Sequence, residues 1–67
     1  MKILLNGVEK SFDFDSITIK DLTTLISIDR ETIVAELNGE IVASEEFGNV
    51  TIKDGDKLEL IRFVGGG

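Results

Sequence analysis

Apolar and polar residues alternate along residues 2–14, which is the pattern of half-buried β-strands. Asn6-Gly7 lies between two alternating runs, and both residues tolerate the positive φ angles of a type I′ turn. We therefore predict a β-hairpin over residues 2–14. Lys10 interrupts the second run, so we place that run at a sheet edge. The alternation directs five side chains toward a core: Ile3, Leu5, Val8, Phe12 and Phe14.

The hydrophobic period then lengthens to that of a helix. Thr18 and Asp21 stand three residues apart, as in a capping box in which Asp replaces the usual Glu. The helix that follows should end near Ser27 or Ile28, and residues 29–31 should form a charged surface loop. One apolar face of this helix is predicted to pack on the core: Ile19, Leu22, Leu25 and Ile26.

A second hairpin is predicted over residues 32–43. Its strands, residues 32–37 and 40–43, flank a second Asn-Gly turn at Asn38-Gly39. After it, residues 44–47 predict one helical turn that Ser44 caps and Phe47 anchors.

The last predicted element is a strand over residues 57–64, which the tight turn Asp54-Gly55-Asp56 introduces. Leu58 and Leu60 should face the core. The whole order predicts an α+β fold, in which one main helix covers one face of a mixed sheet of four to five strands. The other face of that sheet should then be open to solvent.

Residues of opposite parity on the last strand predict a docking surface on the open face. Ile61 and Phe63 should lie on this face, and Leu4 could join them because its parity is opposite to that of Ile3 and Leu5. We also assign Val64, the last residue before the glycines, to the docking residues. An exposed apolar patch of this kind is typical of a site that binds a partner. The alternative is a twist or bulge near Ile61 that turns these side chains inward.

Three glycines, Gly65, Gly66 and Gly67, follow the last strand without a polar linker. A tail without side chains can enter a narrow channel and present its terminal carboxylate there. We therefore predict that Gly65 and Gly66 thread into a partner and that Gly67 reacts. The alternative is a frayed end without function.

Composition narrows the classes of function. A chain of 67 residues makes one small domain. Its 13 acidic and 7 basic residues give a net charge of −6, which argues against a nucleic acid partner. It contains neither histidine nor cysteine, so no ordinary nucleophile–base pair can be built and an enzyme is a poor interpretation. It also has no signal peptide and no apolar run long enough for a membrane span, so we expect a cytoplasmic protein without a membrane partner.

Five segments stand out along the chain, in this order: Asn6-Gly7, Thr18-Ile19-Lys20-Asp21-Leu22, Ala35-Glu36-Leu37-Asn38-Gly39-Glu40, Asp54-Gly55-Asp56 and Phe63-Val64-Gly65-Gly66-Gly67. Together they resemble the ThiS family of sulfur carriers of thiamine biosynthesis, within the ubiquitin-like β-grasp group. The resemblance covers the whole length, with Phe47 standing where family members often carry tryptophan.

The resemblance implies a β-grasp domain over residues 1–64 and a flexible glycine tail over residues 65–67. It implies that a ThiF-type enzyme adenylates the carboxylate of Gly67 with ATP. Sulfur from a persulfide donor then displaces AMP, and the resulting thiocarboxylate supplies sulfur to thiazole synthase (ThiG). The chain would thus be a protein co-substrate of these enzymes and not itself an enzyme, and it would bind no cofactor because its partner consumes the ATP.

Other interpretations stay open at this point. The small subunit of molybdopterin synthase, MoaD, shares the fold and a Gly-Gly end, although it is usually longer. A carrier for another sulfur-transfer pathway, or a ubiquitin-like protein modifier, would also fit. So would a plain β-grasp binding module whose glycines have no role.

Overall fold

The computed structural model describes residues 1–62, apart from the side chain of Arg30. Residues 63 and 64 of the predicted last strand, and the glycines that follow, lie outside the described part, as does the predicted boundary between domain and tail. In chain order the elements are β1 (Lys2–Leu5), β2 (Val8–Ser11), β3 (Ser16–Thr18), helix α1 (Ile19–Leu25), β4 (Ile33–Leu37), β5 (Glu40–Val42), β6 (Thr51–Lys53) and β7 (Lys57–Arg62), with 3₁₀ turns at Arg30–Thr32 and Ser44–Glu46.

Five strands form the main sheet, in the order β2-β1-β7-β4-β5. The sheet is mixed because β1 and β7 run parallel while the other neighbours are antiparallel. Both hairpin turns form as predicted, with positive φ angles at Asn6-Gly7 and Asn38-Gly39. Lys10 lies on the edge strand β2, also as predicted. The predicted α+β sheet with one main helix is therefore confirmed.

The core lies between α1 and one face of the sheet. Leu58 and Leu60 of the central strand β7 are buried, as the alternation predicted. Phe47 is also buried and anchors the 3₁₀ turn that precedes it. The buried apolar residues form one cluster: Ile3, Ile19, Leu22, Ile33, Ala35, Phe47, Ile52, Leu58 and Leu60.

The buried face of α1 differs from the prediction at one position. Ile19 and Leu22 are fully buried, but Leu25 is 54% exposed and Thr23 is buried in its place. A helix turns once in about 3.6 residues, so position i+4 lies on the face of residue i, whereas position i+6 does not. The Thr23 hydroxyl donates to the Lys20 carbonyl at 2.7 Å, which makes its burial possible.

The two ends of α1 are set by its caps. The Thr18 hydroxyl accepts a hydrogen bond from the Asp21 amide at 3.1 Å, which confirms the predicted N-cap. The helix ends at Leu25, earlier than predicted, because Ser27 takes a positive φ of 61° and the Ile28 amide turns back to the Thr23 carbonyl.

The first hairpin is shorter than predicted, because β2 ends at Ser11. Val8 has the parity of the core, but it lies on the edge strand and is 54% exposed. Its predicted burial is therefore wrong. Phe12 lies beyond the strand and packs partly buried against the core, while Phe14 is half-buried and stacks on Phe12, with ring centroids 5.3 Å apart.

A second sheet, which the sequence did not predict, consists of the antiparallel pair β3 and β6. Ile17 pairs with Ile52, and the fully buried Ile52 joins this small sheet to the core. Each strand has only three residues, which is too short for an alternating pattern to be recognised.

The two 3₁₀ turns correct two further details. The segment predicted as a charged loop contains the turn Arg30–Thr32, in which the Asp29 carboxylate accepts from the Glu31 amide at 2.9 Å. Ser44 does not cap the second turn, because Ala43 holds the N-cap position and the Ser44 hydroxyl donates to the Glu45 carboxylate instead.

Candidate functional site

The sheet face that α1 does not cover carries the predicted docking residues. We call it the outer face and define it by the side chains of opposite parity to the core on β1, β4, β5 and β7. Ile61 is 47% exposed on this face and Leu4 is 41% exposed, so no bulge turns either of them inward. The outer face consists of Lys2, Leu4, Val34, Glu36, Ile41, Lys57, Glu59 and Ile61.

Ile61 belongs to an apolar patch that the sequence analysis did not assemble. Val34 is its direct neighbour across the β4–β7 ladder, and Ile41 lies on the next strand, where it is 66% exposed. A shallow cavity of about 240 Å³ extends from Val34 and Ile41 toward the 3₁₀ turn Ser44–Glu46. We call Ile61, Val34 and Ile41 the outer patch. The position of Val34 on the outer face could have been predicted from the sequence, because Val34 lies between Ile33 and Ala35, which face the core.

Leu4 shares the outer face but does not extend the outer patch directly. It pairs with Lys57 at the start of β7, whereas Ile61 lies four residues further along the same strand. At about 3.3 Å per residue this places the two side chains roughly 13 Å apart along the strand. Glu59 lies between them. Leu4 and Ile61 therefore lie in different parts of the outer face.

Two carboxylates face each other at the centre of the outer face. Glu36 and Glu59 are direct cross-strand partners in the β4–β7 ladder, and both are half-buried. Like charges directly opposite each other destabilise a sheet. Among the described side chains, the ion pair joins Lys2 Nζ to Glu9 Oε1 at 3.9 Å. Neither Glu36 nor Glu59 forms an ion pair with a described side chain. The outer patch is thus bordered by two carboxylates, with the Lys57 side chain lining the same shallow cavity as these two.

The hairpin turn and the last turn are joined by a hydrogen-bonded network behind the outer face. The largely buried Asp56 accepts from the Asn38 side-chain amide at 3.0 Å and from the Lys53 backbone amide at 2.9 Å. Asn38 in turn accepts from the Lys57 amide at 2.9 Å. This network fixes where β7 begins, and the ladders with β1 and β4 fix the direction in which the strand leads toward the tail.

The remaining predicted site residues lie outside the described part of the chain: Phe63, Val64, Gly65, Gly66 and Gly67. Their roles in docking, threading and reaction therefore stay predictions. What the structure supplies is the strand before them, because β7 is the central strand of the sheet and is described through Arg62.

Two other kinds of site were considered. Within residues 1–62, no helix has the length and the hydrophobicity to cross a bilayer. Among the same residues, no group of three side chains of the metal-binding types lies close enough together to hold a metal ion.

Comparison with known proteins identifies the family of this architecture. The sequence model of the ThiS family matches residues 3–67. The sulfur carrier protein ThiS of Bacillus subtilis is 35% identical over 63 residues, which is 94% of this chain and 96% of that protein. The predicted resemblance to this family is therefore confirmed.

A crystal structure of the thiamine biosynthesis protein ThiS from Geobacter metallireducens has the same fold. It superimposes with a TM-score of 0.89 at 35% identity, over 100% of both chains. This match confirms the predicted ubiquitin-like β-grasp architecture.

Longer relatives also match. A thiazole synthase of Paramagnetospirillum magneticum is 39% identical over 67 residues, which is 100% of this chain but only 20% of that protein. The chain thus spans about a fifth of the length of this relative.

Proposed function

The chain belongs to the ThiS family, and on this premise we propose that it is a sulfur carrier of thiamine biosynthesis whose Gly67 becomes a thiocarboxylate. The observation that carries the proposal is the family match, which runs through the glycines to Gly67, on a domain that superimposes along its whole length on a ThiS structure. The domain supplies a docking surface and a directed strand, and the tail supplies the reacting group.

The proposed chemistry begins with an inert carboxylate. An oxygen of the Gly67 carboxylate attacks the α-phosphorus of ATP on a ThiF-type enzyme, and pyrophosphate leaves. The acyl adenylate that forms has AMP as a good leaving group. The terminal sulfur of a persulfide then bonds to the carbonyl carbon while AMP departs, and a thiol cleaves the remaining S–S bond to release the thiocarboxylate. The chain is the co-substrate in each step, and the enzyme binds the ATP.

Glycines at positions 65 and 66 suit this reaction for a steric reason. Adenylation requires the carboxylate to reach the α-phosphate in an attack geometry that tolerates little misplacement. A backbone without side chains can pass a channel that is too narrow for peptides with larger residues. Gly65 and Gly66 therefore serve as the threading segment in this proposal.

The outer face is the surface that we propose docks on the partner enzymes. Ile61 and Ile41 are exposed and Val34 is half-buried, and together they offer apolar area next to the end of β7. Apolar anchors of this kind dominate binding when a partner buries them in a pocket. Leu4, Phe63 and Val64 extend this docking surface in the proposal.

The charge of the outer face indicates what the partner should present. Glu36 and Glu59 border the outer patch, and the whole chain carries a net charge of −6. A complementary partner would place basic side chains around an apolar recess, which would relieve the repulsion between the two carboxylates and accelerate encounter. We assign this role to the adenylating enzyme, and we propose thiazole synthase as the acceptor of the sulfur.

Mass spectrometry tests the proposal. The chain is incubated with a ThiF-type enzyme, ATP and a persulfide donor, and its intact mass is measured before and after. The proposal predicts the gain that corresponds to replacement of one oxygen by one sulfur, at the C-terminal peptide. If this mass does not change while the Bacillus subtilis ThiS is charged under the same conditions, the proposed function is wrong.

A further inference from the structure

The parallel ladder between β1 and β7 ends before β7 does. Leu4 and Asn6 donate their backbone amides to the carbonyls of Asp56 and Leu58, both at 3.0 Å. Along a strand, the backbone N–H and C=O groups of every second residue point to the same neighbouring strand, and those of the residues between them point to the other side. The residues of β7 that point their backbone groups toward β1 are therefore the even-numbered ones, up to Leu60 and Arg62.

Asn6 closes this ladder with its side chain. Its φ of 51° begins the hairpin turn, so the backbone of β1 leaves the sheet at this point. The side-chain oxygen of Asn6 accepts from the Leu60 amide at 2.8 Å, in the place where the next backbone carbonyl of a longer strand would accept. Asn6 thus satisfies the last donor that β1 can reach.

Beyond Asn6, β7 is covered on one side only. On the β4 side the ladder continues to the pair of Ile33 with Arg62. On the β1 side, within residues 1–62, no strand lies beside the Leu60 carbonyl or the Arg62 amide and carbonyl. These three groups form a short open strand edge, which we call the exit edge.

The exit edge is continuous with the proposed reactive tail. Only five residues, 63–67, separate it from the Gly67 carboxylate, and they span at most about 18 Å when extended. A partner that pairs with the backbone at Arg62 therefore fixes both the position and the direction of the chain that enters its channel. Backbone pairing at an open strand edge is a common mode of peptide recognition and is independent of side-chain identity.

We propose that the adenylating enzyme binds the exit edge by adding an extended backbone segment of its own beside β7, in the position that β1 leaves at Asn6. This inference rests on the proposed function, because the enzyme that receives the tail is its occupant. The partner segment donates to the Leu60 carbonyl and accepts from the Arg62 amide. It supplements the outer face, which makes side-chain contacts instead.

Proline at position 62 tests the pairing, because it removes the amide hydrogen. By the alternation, the Arg62 amide points away from β4, so Arg62→Pro breaks no hydrogen bond among residues 1–62. Arg62→Ala removes the same charged side chain but keeps the amide. We expect Arg62→Pro to bind the ThiF-type enzyme at least tenfold more weakly than Arg62→Ala, as measured by titration calorimetry. Equal affinities of the two variants would overturn the exit-edge proposal.

Ser11→Pro is the matched control for proline at a strand edge. Ile3 and Lys10 are a bonded pair, so the amide of the next residue, Ser11, points outward from the edge strand β2, and Ser11 pairs with Lys2 and not with the docking residue Leu4. This variant should keep the parent's affinity. A loss equal to that of Arg62→Pro would show that proline at any outward edge position disturbs binding, and this too would overturn the proposal.

Amide hydrogen exchange decides the matter if Arg62→Pro fails to fold. In the unmodified chain, binding of the enzyme should slow exchange at the Arg62 amide at least tenfold and leave exchange at the Ser11 amide unchanged. Unchanged exchange at Arg62 in the complex would refute the pairing. If the parent binds the enzyme but gains no sulfur, the proposed function is wrong. The affinities of Arg62→Pro and Arg62→Ala would still show whether the enzyme pairs with the exit edge.

Discussion

Replacing Leu58 by alanine tests whether the faces of the central strand are assigned correctly. Leu58 is fully buried on β7, and its neighbours in the ladders are Leu5 of β1 and Leu37 of β4. Because strands flank it on both sides, the surrounding backbone cannot collapse into the space that the truncation leaves. The cost should therefore lie in the upper part of the range for leucine-to-alanine changes, at about 3–5 kcal/mol.

That loss is comparable to the whole stability of so small a domain. A single core of this size rarely supplies more than about 3–5 kcal/mol. Leu58→Ala should therefore be largely unfolded in the absence of denaturant. Urea titration followed by far-UV circular dichroism measures this, with the parent's transition as the reference.

Leu25→Ala is the matched control, since it makes the same chemical change at a side chain that is 54% exposed. It should change the free energy of unfolding by no more than about 0.5 kcal/mol. If Leu58→Ala and Leu25→Ala shifted the urea midpoint equally, the packing of β7 against α1 described above would be wrong.

Three further predictions concern the outer face and the helix cap. Ile61→Ala should leave the free energy of unfolding nearly unchanged but weaken binding to the ThiF-type enzyme by about 1 kcal/mol or more, because Ile61 is buried only in the complex. Unchanged affinity in a calorimetric titration would show that Ile61 does not belong to the docking surface. Glu59→Gln should raise the free energy of unfolding by about 0.2–1 kcal/mol, because it relieves the repulsion with Glu36; a loss of stability in urea titration would contradict this. Thr18→Ala should cost about 1 kcal/mol through the lost cap on Asp21, and Thr18→Ser should restore most of it; equal melting temperatures of the two variants would show that the cap contributes nothing.

The sequence predicted those parts of the fold that depend on local physics. The alternation around Leu58 and Leu60 identified the buried face of β7, and the Asn-Gly pairs identified both hairpin turns. These signals work because the period of a strand and the φ preference of a turn are set by nearest neighbours in the chain. The helix cap at Thr18 is local in the same sense.

The features that depend on the position of a strand in the sheet could not be read locally. Val8 has the parity of a core residue, yet it is exposed because β2 lies at an edge. The pairing of Ile17 with Ile52 joins residues that are far apart in sequence, so neither three-residue strand carries its own signal. The outer patch is similar, because Ile61 meets Val34 only once β4 and β7 are neighbours.

The carboxylate of Gly67 is central to the proposed function, and blocking it is the most direct test. Amidation of Gly67 keeps the length and shape of the tail while it removes the oxygen that attacks ATP. The amidated chain should fold like the parent, because the change leaves every residue of the buried core untouched. Incubated with the ThiF-type enzyme, ATP and a persulfide donor, the parent should gain the mass of sulfur in place of oxygen, and the amidated chain should gain none. If the amidated chain were charged with sulfur as efficiently as the parent, the reacting group would lie elsewhere and the proposed function of Gly67 would be wrong.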